Sequence, residues 1–126
     1  MFSGKDLANE CKWGQSLVSA TRTSSGNGSA VDMQDCGPEV VAVLDVGAVS
    51  GTSPTLDVKL QESDTSGGTY SDISGATFTQ VTASNAQQTI QVANRTKRYV
   101  RAVATIAGTS PSFASCVLIA ANKQSY

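Results

Sequence analysis

The chain has 126 residues, a mass of 13.0 kDa, a net charge of -1 and no histidine. That length gives about one domain with a single hydrophobic core. With only 15% charged residues there is no global electrostatic drive toward nucleic acid or acidic membranes, so neither is expected as a partner. Without histidine the chain lacks the commonest general base, the usual zinc ligand, and the Ser-His-Asp and Cys-His nucleophile pairs.

Three cysteines, Cys11, Cys36 and Cys116, are odd in number and widely spaced, which argues against a disulfide framework or a zinc site. Cys116 sits in an apolar run and reads as a small core hydrophobe. The first residues show no basic region followed by a long apolar core, so no signal peptide is expected. Ser and Thr make up about a quarter of the chain, a composition that suits polar, turn-rich β structure.

In chain order, residues 1–14 are the one stretch with helical character. Ser3 is a candidate cap, Asp6 completes a weak capping box, Leu7 and Cys11 share a face, and Gly14 is the stop. Such a short helix is marginal alone, so it either docks on its own sheet or acts as an arm, with Phe2, Leu7 and Trp13 packing on another subunit or protein. Gln15–Thr23 predicts a first strand, broken by the turn residues Ser24–Gly28. Glu39–Val49 is rich in β-branched residues and nearly continuous in apolarity, the pattern of a strand buried on both faces.

Gly51, Ser53 and Pro54 punctuate that strand and predict that it pairs as an antiparallel neighbour with Thr55–Gln61. In Thr55–Ile73, Leu56, Val58 and Leu60 alternate with Asp57, Lys59 and Gln61, and Asp64–Gly68 supplies turn chemistry, which together predict a hairpin. Gln88–Val92 alternates again. Lys97–Ala107 places Val100, Ala102, Ala104 and Ile106 on one face, and after Gly108–Pro111 a last strand, Phe113–Ala121, closes the domain. Seven or eight strands without intervening helices predict an all-β fold: a single antiparallel β-sandwich, jelly-roll-like, over residues 15–121, with an N-terminal arm or helix at 1–14 and a polar tail at 122–126.

The remaining candidates for chemistry are thin. Scattered carboxylates, Asp64 and Asp72 among them, read as solvated turn residues rather than a glycosidase pair. Asp32, Asp35 and Glu39 lie close in sequence but match no calcium-loop spacing, so no metal or other cofactor is expected. Arg95, Lys97, Tyr99 and Arg101 share one face if their strand runs unbroken. Such a stripe with one aromatic could track a nucleic-acid strand, but a single Tyr and cations offset by as many acids are thin for that, so it reads either as a solvated sheet face or as a contact for a protein of opposite charge.

The runs ATRTSSGNGSAVDMQ (Ala20–Gln34), VAVLDVGAV (Val41–Val49), LDVKLQESDTSGGTYSDI (Leu56–Ile73) and KRYVRAVATIAGTS (Lys97–Ser110), with a closing apolar strand, resemble small structural proteins of tailed bacteriophages. In size and composition the chain is similar to head decoration, or cement, proteins. That resemblance implies a non-enzymatic virion protein on the outer capsid surface, made in the host cytoplasm, that braces major capsid protein subunits as a homo-oligomer, dimer or trimer. A phage neck or tail component and a carbohydrate-binding β-sandwich module are the alternatives. Phe2, Leu7, Trp13, Arg95, Lys97, Tyr99 and Arg101 are the expected partner contacts.

Overall fold

The computed structural model describes residues 11–122. Seven strands run in order: β1 (Cys11–Arg22), β2 (Gly26–Asn27), β3 (Val31–Asp32), β4 (Val40–Ser63), β5 (Ser71–Thr77), β6 (Ala86–Val92) and β7 (Tyr99–Asn122). All pairings are antiparallel and form one sheet in the order β1-β7-β4-β5, with β2 and β3 also on β7 and β6 also on β4. The all-β expectation therefore holds, and no helix occurs among the described residues.

The end of the expected N-terminal helix is strand instead. Cys11–Gly14 pair with Asn122, Ala121, Ala120 and Ile119, so the backbone groups of this stretch are satisfied by the β7 ladder rather than by a local helical turn. Phe2 and Leu7, and the rest of the expected arm before Cys11, lie outside the described residues. Asn122, read as the start of a tail, is the last residue of the same ladder, and residues 123–126 also lie outside.

A second correction concerns the centre of the sheet. Glu39–Val49 and Thr55–Gln61 are not neighbours; nearly all of both belongs to one 24-residue strand, β4. The segments on either side of Gly108–Pro111 likewise form one 24-residue strand, β7. The two strands pair along their whole length, from Val41↔Ala120 to Ser63↔Tyr99, with register breaks only between Val46 and Thr55.

The punctuation at those breaks is the same tetrapeptide twice, Gly-Thr-Ser-Pro at 51–54 and at 108–111. Its backbone repeats too: φ is 111° at Gly51 and 120° at Gly108, and 49° at both Ser53 and Ser110. Each proline removes a ladder donor, and each glycine takes a positive φ without Cβ strain. The two tetrapeptides lie against each other, Gly51 beside Ser110 and Pro111, and Gly108 beside Ser53 and Pro54. Pairing at Ser50↔Ser112, Thr52↔Thr109 and Thr55↔Ala107 carries the ladder through. A hairpin would have ended the pairing; two matched bends fold the paired strands together.

The bend divides the sheet into two arms. In one, β6, the first half of β4, the second half of β7 and β1 lie side by side; in the other, β5, the second half of β4, the first half of β7 and β2/β3 do. Eight segments in this order are compatible with the sandwich and jelly-roll expectation. Residues from both arms share one hydrophobic cluster, including Val40, Ala42, Leu44, Val117 and Ile119 from the first and Leu56, Val58, Leu60, Val100 and Ala102 from the second.

Ser16 stitches the arms at one side: its Oγ donates to the Ser29 carbonyl at 2.7 Å and accepts from the Ala102 N–H at 2.8 Å. The hairpin expected at Thr55–Ile73 is present, with Gln61↔Asp72 and Glu62↔Ser71 in register. Leu56, Val58 and Leu60 are fully buried, as alternation predicts.

Candidate functional site

The outer faces of the two arms differ in kind. On the arm containing β5, polar side chains satisfy one another across strands. Asp72 accepts from Lys59 Nζ at 3.1 Å and from Gln61 Nε2 at 2.9 Å, and Arg101 donates to Gln61 Oε1 at 2.9 Å. The Arg101 guanidinium also lies 3.9 Å from the centre of the Tyr70 ring, a cation–π contact. The Gln61 hydrogen bond, followed by that of Lys59, holds the Asp72 carboxyl below the usual carboxylate range. Nearby, Gln80 Nε2 donates to Asp57 at 3.0 Å.

The arm containing β6 presents an apolar outer face. Register builds it in rows across β1, β7, β4 and β6: Trp13, Ala120, Val41, Gln91; then Gln15, Leu118, Val43, Thr89. A third row adds Cys116, Asp45 and Gln87. Trp13 is 53% and Leu118 38% exposed, and Val41 and Val43 are half-buried. A shallow groove of about 190 Å³ runs beside Trp13, Val41, Glu39 and Gln91. An apolar centre with an aromatic side chain and a rim of glutamines and carboxylates has the anatomy of a protein interface.

Two expectations about the core change with this face. Glu39–Val49 is buried on one side only: Val40, Ala42, Leu44 and Val46 face the core, while Val41 and Val43 face outward and Asp45 is exposed. Cys116, expected in the core, alternates with buried Val117 and so lies half-buried on the outer face, where desolvation raises its thiol pKa. The continuous apolarity that read as double burial marks an uncovered face instead.

The expected partner contacts scatter. Trp13 is on the apolar face. Arg95 and Lys97 precede β7, so the unbroken strand that a shared stripe requires begins only at Tyr99. The Arg95 guanidinium donates to the carbonyls of Lys97 (2.7 Å), Cys36 (2.8 Å) and Gly37; it pins two loops together. Lys97 faces Asp64 at 3.9 Å, Tyr99 lies 5.0 Å from the Arg98 guanidinium, and Arg101 belongs to the polar network described above. Asp32, weighed as a metal ligand, is engaged by Arg98 through two hydrogen bonds of 2.8 Å. Those bonds hold its carboxyl well below the usual range.

Glu62, in the sequence one of the scattered carboxylates weighed for a glycosidase pair, has a role that depends on a distant loop. The carboxylate is buried and accepts from the N–H of Thr96 at 2.9 Å, the Thr96 hydroxyl at 3.1 Å and the N–H of Lys97 at 3.2 Å. Three donors for one buried carboxylate mark it as the anchor of the 94–98 loop. No protein-family model matches the chain, and no curated protein matches it.

Proposed function

We propose that the chain is a non-enzymatic virion structural protein, a decoration protein that docks on the outer surface of a phage capsid through the Trp13–Leu118 face. The observation that carries this reading is the contrast between the two outer faces. One is closed by its own polar network; the other exposes Trp13 and Leu118 over Val41 and Val43. The resemblance of Leu56–Ile73 and Lys97–Ser110 to tailed-phage structural proteins supplies the assembly, and the major capsid protein is the partner.

The face spans four strands over seven residues of regular pairing, roughly 19 by 23 Å or about 440 Å² at ordinary strand spacings. Burying all of it would contribute no more than about 11 kcal/mol gross, comparable with the roughly 4–15 kcal/mol that association costs. A single copy is thus a weak binder, and firm attachment requires several linked contacts, as a capsid lattice offers. Electron microscopy of particles tests the reading. The expected result is density at capsid symmetry axes with the Trp13 face turned to the capsid. Density confined to the tail, or full occupancy by a Trp13→Ser/Leu118→Ser variant, refutes it.

A further inference from the structure

Among the described residues the two arms leave four strand edges, β1 and β6 on one and β5 and β2/β3 on the other, and they are not alike. β2 and β3 are only two residues long each, too short to template a partner strand. β1 is irregular, with register shifts between Gln15 and Leu17 and between Leu17 and Ala20. The Arg22 guanidinium further occupies the Val18 and Ala20 carbonyls at 2.6 and 3.3 Å. β5 has a register shift against β4, a positive φ of 80° at Gly75 and a charged residue, Asp72. Irregularity and charge are the usual devices that stop an edge from pairing.

β6 has neither. Its seven residues, Ala86–Val92, pair with Val40–Val46 of β4 without a break and include no charge and no proline. No described strand pairs its other side. The core is also open there: Ala86, Ile90 and Val92 pack on the hydrophobic cluster but stay partly exposed, whereas Val40, Ala42, Leu44 and Val46 on the adjacent strand are 0–1% exposed.

We propose that β6 pairs with β6 of a second copy of this chain, antiparallel, about a two-fold axis through Thr89. The sequence of the strand is self-complementary in that register. Ala86 falls opposite the partner's Val92, Gln87 opposite the partner's Gln91, and Thr89 opposite the partner's Thr89; Gln88, whose amide is already bonded to the Thr79 backbone at 2.8 Å, falls opposite the partner's Ile90 and offers it only its methylenes. Threonine pairs and amide pairs across strands are favourable, and Ala86–Val92 contacts close the open margin of the core. Edge pairing supplies main-chain hydrogen bonds to a strand that has them on one side only.

An antiparallel pair of this kind has its two-fold axis perpendicular to the sheet, because paired residues share a face. Both Trp13–Leu118 faces then lie on the same side of one continuous eight-stranded layer. Two faces of roughly 440 Å² each sum to about 900 Å², which reaches the roughly 800 Å² per partner of a stable interface that one copy misses by half. The dimer stands whether or not a capsid is the target, so its test uses mass in solution.

Sedimentation velocity from about 1 to 100 µM, a range spanning ordinary protein–protein affinities, measures three proteins: the unaltered chain, Thr89→Lys on β6, and Gln15→Lys at the opposite end of the same row. The unaltered chain and Gln15→Lys are expected at twice 13.0 kDa and Thr89→Lys at the monomer mass, with unchanged circular dichroism. Thr89→Cys is expected to form a disulfide-linked dimer on mild oxidation, since directly opposed strand positions lie within disulfide reach, at about 4.5–5.5 Å between Cα atoms. A monomer throughout the range, a dimer that survives Thr89→Lys, or failure of Thr89→Cys to cross-link overturns the proposal. Loss of capsid binding by a protein that still dimerises would instead strike only the decoration reading.

Discussion

Replacing Gly51 or Gly108 with alanine tests the account of the bend. Both glycines have φ above 110°, where an L-residue is strained by about 1–3 kcal/mol. An added Cβ at Gly51 would stand 2.6 Å from the Ser110 carbonyl oxygen, and at Gly108 2.8 Å from that of Ser53. Those obstacles are backbone, so relief requires parting β4 from β7 where the two bends touch, a further cost of about 1–3 kcal/mol. Reduced freedom of the unfolded chain returns only about 0.4–1 kcal/mol.

Each substitution should therefore destabilise by roughly 2–5 kcal/mol, a large share of the roughly 5–15 kcal/mol of an ordinary domain. The melting temperature should fall by about 10–20 °C. Because each glycine lies against the other tetrapeptide, parting the strands for one added Cβ also makes room for the other, and the double variant should lose less than the sum of the singles. Gly67→Ala is the control, since nothing lies within 4 Å of its added Cβ and its φ is not positive. Thermal melts followed by circular dichroism, with urea titrations, measure all four variants. A Gly51→Ala protein that melts within about 2 °C of Gly67→Ala, a span worth under about 1 kcal/mol, would refute the reasoning.

Glu62→Ala should cost about 2–4 kcal/mol by stranding the N–H groups of Thr96 and Lys97, and Glu62→Gln, which keeps one acceptor, should cost less. Hydrogen exchange should show lost protection at residues 94–98 first; unchanged protection there would contradict the anchor. The Asp32–Arg98 pair governs part of the acid response. Its carboxyl is lowered in the fold by the Arg98 hydrogen bonds, so the contribution is complete above about pH 4 and is lost as pH falls toward the lowered folded value. Asp32→Asn should reduce the steepness of the stability decline in that acid window. The pair is partly exposed, so the change should be modest and should shrink further in high salt; an identical acid limb would dismiss it.

Amphipathic alternation was enough to place most of the core. Leu56, Val58, Leu60, Val100, Ala102, Ala104, Val117 and Ile119 face inward as period two predicts, because in a half-buried sheet parity alone decides the side. The turn at Asp64–Gly68 was equally local. Punctuation misled where the sequence offered the same residues for two purposes. Gly-Thr-Ser-Pro reads as a hairpin turn, yet both copies bend a continuing strand, since each has the other as its ladder partner 57 positions away.

The candidate surface was legible only in part. Trp13 stood out as a large apolar residue near a terminus, while Val41, Val43 and Leu118 were hidden among true core residues. Apolarity in a strand does not say whether a second layer covers it. The Arg95–Arg101 stripe failed for the converse reason: charge on a strand does not say which carbonyl or carboxylate lies across from it. The amino-acid sequence by itself determined the β class, the hairpin and the inward parity, because these follow from neighbours one to a few residues apart. Tertiary structure decided which turns were bends, which arm kept an uncovered face and which edge stayed regular, because those depend on pairings between residues far apart in the chain.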